Sequence, residues 1–167
     1  IRHSERGLRF TGYEEMSLLS LSSGDYTSLG PLLRILMDQQ EGDKIAVSLP
    51  SLRVDSLDSA WFEDLKRVRK TGFTLAPEAG NERIRRILNK GLTDEQILCM
   101  AGEIYRAGWN LIKLYFMIGL PSEEDEDLED MIRLAGRVAR TSKNKGKVHM
   151  SVSTFVPKSH TPFMWLP

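Results

Sequence analysis

The stretch LIKLYFMIGLPSEEDED, residues 111–127, decides the fold. It opens with a run of apolar residues from Leu111 to Leu120, broken only by Lys113 and Gly119 and far too short to cross a bilayer. A nearly continuous apolar run of this length reads as a strand covered on both faces, as in parallel sheets. Gly119-Leu120-Pro121 then turns the chain, and Ser122 with Asp125 has the spacing of a reciprocal capping box. The following helix is expected to carry Leu128, Met131, Ile132, Ala135 and Val138 on one face. Its acidic start (Glu123 to Asp127) and basic end (Arg137, Arg140, Lys143) both suit the helix dipole. The stretch is therefore one strand–turn–helix unit.

The same unit recurs on both sides. Further strand-length runs span Met16–Ser22, Ile45–Pro50, Phe73–Ala76 and Val148–Val156. Between them, Leu29, Leu32, Leu33 and Leu36 form a helical stripe that Gly42 ends. Phe62, Leu65 and Val68 form a second, with Gly72 as its stop. Asn81 is placed to cap a short helix bearing Ile84, Ile87 and Leu88, and Thr93 with Gln96 fits another capping box. The order β-α-β-α-β-αα-β-α-β, with a strand every ~30–40 residues, predicts a parallel α/β fold in a single domain, residues 1–167. By itself it does not choose between a barrel and an open doubly wound sheet.

The bulk numbers agree. Of 167 residues, 41% are hydrophobic and 28% charged, as in an ordinary globular domain. Basic and acidic side chains balance at 23 each, which gives no support to a nucleic-acid or membrane surface. The one cysteine, Cys99, excludes an internal disulfide or an all-cysteine metal site, and is expected to be a buried thiol on a helix. The polar, basic opening IRHSERGLRF reads as the middle of a longer protein, and the expected setting is cytoplasmic.

In either architecture functional groups belong at the carboxyl ends of the strands. Those ends offer Ser23-Gly24-Asp25, then Arg53, then Pro77-Glu78-Ala79-Gly80, then Gly119, then Pro157-Lys158. Each has a bland reading: Asp25 as a turn former, Glu78 as a helix-start carboxylate, Arg53 as a surface ion-pair partner. Arg83, Arg85 and Arg86 are spread around one helix. The acidic run after Pro121 reads as a solvated first turn. His3, His149 and His160 are too far apart to suggest a ligand pair, and His149 is expected to be partly buried in its strand.

Taken in order, LLSLSSGDY, LPSLRVDSL, TLAPEAGNERIRRILNKG, IKLYFMIGLPSEEDED and VSTFVPKSHTPFMW resemble the radical S-adenosylmethionine superfamily. The likeness is to its uncharacterised iron–sulfur oxidoreductases that accompany a cobalamin-binding domain. The resemblance implies a partial (β/α)6 barrel of the TIM type, of which this chain would supply strands two to six. It implies S-adenosylmethionine and a [4Fe–4S] cluster as cofactors, and leaves open whether cobalamin is also used through another domain. The cluster would be held by a C-x3-C-x2-C loop after the first strand, and reductive cleavage would yield a 5′-deoxyadenosyl radical.

By the same resemblance, Ser23, Gly24 and Asp25 meet the methionine amino group, with Ser-Gly-Asp standing where Gly-Gly-Glu is commoner. Glu78 and Arg85 meet the ribose and carboxylate. Ile118 and Gly119 pack near the adenine, Val156 and Pro157 read its edge, and Arg53 takes the carboxylate or the substrate. The substrate is open: RNA, protein or a small molecule. The cysteine triplet is not in this sequence, so the fragment alone is expected to be inactive and to expose a strand edge suited to dimerisation. Two competing readings are a barrel aldolase or isomerase with Lys113 or Glu78 as base, and a non-catalytic binding module. Lys113 lies mid-strand, which disfavours it as a base.

Overall fold

The computed structural model describes residues 1–18, 25–40, 42, 45–48, 60–65, 72–143 and 145–165. In these the element order is α1 (Arg2–Thr11), β1 (Glu15–Ser17), α2 (Leu29–Gln40), β2 (Ala46–Ser48), α3 (Trp61–Leu65) and β3 (Phe73–Glu78). There follow α4 (Glu82–Ile87), α5 (Asp94–Arg106), β4 (Leu111–Ile118), α6 (Asp125–Thr141), β5 (Lys147–Thr154) and a 3-10 turn, Pro162–Trp165.

Among the described residues all strand pairs are parallel, in a two-stranded β1–β2 sheet and a three-stranded sheet of order β3-β4-β5. Parallel neighbours joined through helices make the chain mixed α/β, with the strands in sequence order. The five expected strands are found, with shifted ends. The described parts of β1 and β2 are three residues each. β3 runs two residues past its expected end through Pro77, where the register with β4 shifts between Leu75 and Glu78. An irregularity of that kind accommodates a residue that has no N–H to give.

Helix starts follow local chemistry. The Asn81 side chain accepts from the Ile84 N–H at 3.1 Å, and Thr93 and Gln96 exchange both bonds of a capping box. The box expected at Ser122 and Asp125 lies two residues later: the Asp127 carboxylate accepts from the Glu124 N–H at 2.8 Å. Ser122 is in the left-handed region, φ 61°, where it is part of the turn rather than a cap. The buried stripe of α6 is also rotated from the expected one. Met131, Leu134, Ala135 and Val138 are buried, whereas Leu128 and Ile132 are exposed. The polar, basic opening segment forms α1, ended by Gly12, whose N–H bonds the Leu8 carbonyl at 2.9 Å; α1 buries no residue.

One apolar core runs from Leu33 and Leu36 of α2 through Leu75, Ile112, Leu114 and Phe116 of the sheet to Ile97 and Ile104 of α5 and Val138 of α6. Phe62, Phe73 and Trp109 meet edge to face with centroids 5.4–5.5 Å apart, and so tie α3 to the start of the sheet. Cys99, expected inside, is exposed on α5.

Candidate functional site

A second, smaller apolar cluster fixes where the strands end. Ala79 after β3, Ile84 of α4 and Leu120 after β4 are buried together, with Met117 and Phe155 packed against them. The Phe155 N–H bonds the Ile118 carbonyl at 2.8 Å, and Phe155 meets Phe163 edge to face. Three neighbouring turns at the carboxyl edge of one parallel sheet thus share one support. Above it stand Glu78, Ile118, Gly119, Val156 and Pro157, the last four exposed and Glu78 half-buried. The sequence-derived candidates of the last three strands are brought to one edge.

The turn that carries Glu78 is fixed at Lys90, Gly80 and Asn81. The Glu78 backbone is left-handed, φ 69°, a conformation that costs a non-glycine residue about 1–2 kcal/mol. Lys90 donates to the Glu78 carboxylate at 3.0 Å and to the Ala76 carbonyl. Gly80 lies so close to α6 that a Cβ there would stand 2.3 Å from the Met131 nitrogen. The Asn81 amide then donates to Asp127 at 2.6 Å and to Asp130 at 2.9 Å. So Glu78-Ala79-Gly80-Asn81 is clamped onto the flank of α6.

Asp127 is the centre of that clamp, 5% exposed, and also bonds Arg83. Burial alone would raise its carboxyl pKa. Hydrogen bonds from Asn81 and the Glu124 N–H, with the Arg83 charge, outweigh burial and hold it below the usual carboxylate value.

Arg85, expected to meet a ligand carboxylate, is placed elsewhere. It is fully buried, and its guanidinium donates to the Leu92 carbonyl at 2.8 Å, the Ala79 carbonyl at 3.0 Å and the Asp94 carboxylate. Asp94 also binds Arg137 of α6, and its N–H bonds Glu82 at 3.0 Å. Arg85 is a strut that joins the β3 turn to the start of α5, because its helix position faces inward. Asp25 is exposed. Ser23, Gly24 and Arg53 lie outside the described residues.

Glu123 was missed, being read as one of five solvated acids. One carboxylate oxygen accepts from the Gly119 N–H at 2.6 Å and the Leu120 N–H at 3.3 Å, which shapes the turn around Gly119, φ 78°. Its other oxygen, Oε1, is buried without a hydrogen-bond partner among the described residues. The signal was positional: Glu123 stands four residues after a turn glycine, within reach of free amides. A buried orphan acceptor at the strand-end edge suits a ligand that brings an N–H.

The donors and acceptors at this edge fit an amino- and hydroxyl-bearing nucleoside: a fixed carboxylate at Glu78, the orphan oxygen of Glu123, and apolar Ile118 and Val156 beside them. They do not fit a cluster of iron and sulfide. Such a cluster needs several thiolates, and the chain has one cysteine, on the outside of α5. Among the described residues no His, Cys, Asp and Glu group is arranged to hold a metal ion. A cavity of about 530 Å³ between α1 and the start of β2, bounded by Leu8, Tyr13 and Ile45, lies at the amino end of its sheet, away from this edge.

Parallel strands in βα order, with the candidate side chains gathered at the carboxyl ends of the last three, define the α/β class in which loops carry the chemistry. The family model of the radical SAM superfamily matches residues 5–135. The chain belongs to that superfamily. It is also 35% identical over 161 residues to "Uncharacterized protein MJ0966" of Methanocaldococcus jannaschii, a match that covers 96% of this chain and 34% of that protein. The chain thus spans about a third of the length of the curated relative it matches. Among the described residues no helix is long and apolar enough to cross a membrane.

Proposed function

We propose that this chain is the cofactor-binding part of a radical S-adenosylmethionine enzyme, with the carboxyl edge of β3-β4-β5 as the S-adenosylmethionine site. The observation that carries the reading is the shared edge: Glu78, Ile118, Gly119, Val156 and Pro157 stand on three adjacent turns joined by one apolar cluster, in a chain of this superfamily. Glu78, fixed by Lys90, is suited to accept from ribose hydroxyls, and Glu123 Oε1 to accept from an amine. Ile118 and Val156 offer apolar surface to a purine. Ser23, Gly24, Asp25 and Arg53 complete the site in this reading. Arg85 acts as a support for Glu78 rather than as a contact.

The cluster ligands are carried outside these 167 residues, and the chain's own part is to bind and orient the nucleoside and to keep water from it. The alternative of a barrel aldolase is disfavoured by Glu78, whose carboxylate is engaged by Lys90 rather than free as a base. The test is anaerobic reconstitution of the whole protein with iron and sulfide, followed by assay for 5′-deoxyadenosine. Cleavage of S-adenosylmethionine, weakened at least tenfold in Glu78→Gln, is the expected result. A reconstituted protein that neither binds nor cleaves it overturns the reading.

A further inference from the structure

The face of the β3-β4-β5 sheet turned away from α6 departs from what parallel sheets show. The helix-side face is closed, with Ile112 and Leu114 fully buried and Phe116 1% exposed. The other face alternates with it and is polar and open. Register places Thr74, Lys113 and His149 side by side across the three strands, with Tyr115 beside Ser151 in the rung beyond. His149, Tyr115 and Ser151 are exposed and Lys113 is half-buried. Among the described residues, the positions in register with Lys113 and Tyr115 on this face include no Asp or Glu. Among the described residues the side chains of Lys113 and His149 have neither an ion-pair nor a hydrogen-bond partner.

An open polar sheet face whose donors meet no acid among the described residues is complementary to an anion. We propose that the Lys113–His149 rung binds an oxyanion, carboxylate or phosphate, of the substrate. This rests on the reading of the strand ends as the S-adenosylmethionine site. Lys113 lies five residues before Ile118, which at about 3.3 Å per residue puts the rung ~16 Å below that site. The substrate is therefore an extended molecule, with its anionic group remote from the atom that reacts. Tyr115 lies between the two along β4, and Ser151 beside it adds a hydroxyl donor.

The test is calorimetric titration of the whole protein with inorganic phosphate, pyrophosphate and succinate, with S-adenosylmethionine titrated separately. At least one oxyanion should bind saturably. Lys113→Met and His149→Asn should each weaken it about tenfold or more, as expected for loss of a charge-assisted contact, and Lys113→Arg should stay within about threefold of wild type. Preference for the phosphates or for succinate assigns the anion; either supports the proposal. No oxyanion binding by the wild type overturns it, as does binding that neither substitution changes while thermal melts show both variants folded. Displacement of the oxyanion by S-adenosylmethionine also overturns it, because the rung then belongs to the cofactor. A wild type that binds an oxyanion but not S-adenosylmethionine refutes the cofactor site and leaves the rung standing.

Discussion

Replacing Gly80 with alanine adds one carbon where the chain has no room for it. The new Cβ would stand 2.3 Å from the Met131 nitrogen, 2.6 Å from the Asp130 carbonyl carbon and 2.8 Å from the Asp127 oxygen. All three are backbone atoms of α6, so no rotamer change relieves the contact. Either the turn after β3 or the helix must retreat by roughly 1 Å to restore ordinary van der Waals spacing, and that retreat stretches the Asn81 bonds to Asp127 and Asp130. Overpacking against rigid neighbours costs about 1–3 kcal/mol, and strain in a buried hydrogen-bonded turn places this case at the upper end. For a domain of this size ~3 kcal/mol lowers Tm by about 9 °C. Thermal unfolding followed by circular dichroism measures it. Gly102→Ala is the control: it adds the same carbon inside α5, where nothing lies within 4 Å, and should be neutral or stabilising by about 0.5–1 kcal/mol. A Gly80→Ala variant that melts within 1–2 °C of wild type (roughly half a kcal/mol) would refute the clamp.

Two further outcomes follow from the same turn. Arg85→Met leaves the Leu92 and Ala79 carbonyls and one Asp94 oxygen without their buried donor, and should cost about 3 kcal/mol or more in urea unfolding. Arg86→Met, on the exposed side of the same helix, should cost under about 0.5 kcal/mol; equal losses would mean that Arg85 is no strut. Asp127, whose pKa is lowered in the fold, contributes stability that is fully present above the ordinary carboxylate value of about 3.9 and is lost as pH falls through the lower folded value. The stability gap between wild type and Asp127→Asn should therefore be wide at neutral pH and narrow towards pH 3, and a gap that persists in acid would contradict the sign.

The βα order was legible because strand-length apolar runs and helix-capping residues are local signals. Asn81, Thr93 and Gln96 do what their spacing implies. Arg85 was misplaced because three arginines in four residues look alike until the helix phase against α5 is known. Glu123 was misread because its neighbours Glu124, Asp125 and Glu126 are indeed exposed, and only the path of the turn brings Glu123 back to the Gly119 amide. Cys99 follows the same rule: an apolar flank on each side does not say which face of α5 is covered.

The sheet itself carried a signal that its composition concealed. LIKLYFMI looks continuously apolar, and continuous apolar strands are those that parallel sheets bury on both faces. Its register partner KVHMSVST alternates strictly up to Val152, with Lys147, His149 and Ser151 on one side and Val148, Met150 and Val152 on the other. Two strands in register must share their faces, so the alternation of the second assigns the faces of the first. Lys113 and Tyr115 then fall with His149 and Ser151, and Ile112, Leu114 and Phe116 fall with the core. The sheet therefore carries helices on one face and polar side chains on the other, the face that the proposed oxyanion rung occupies.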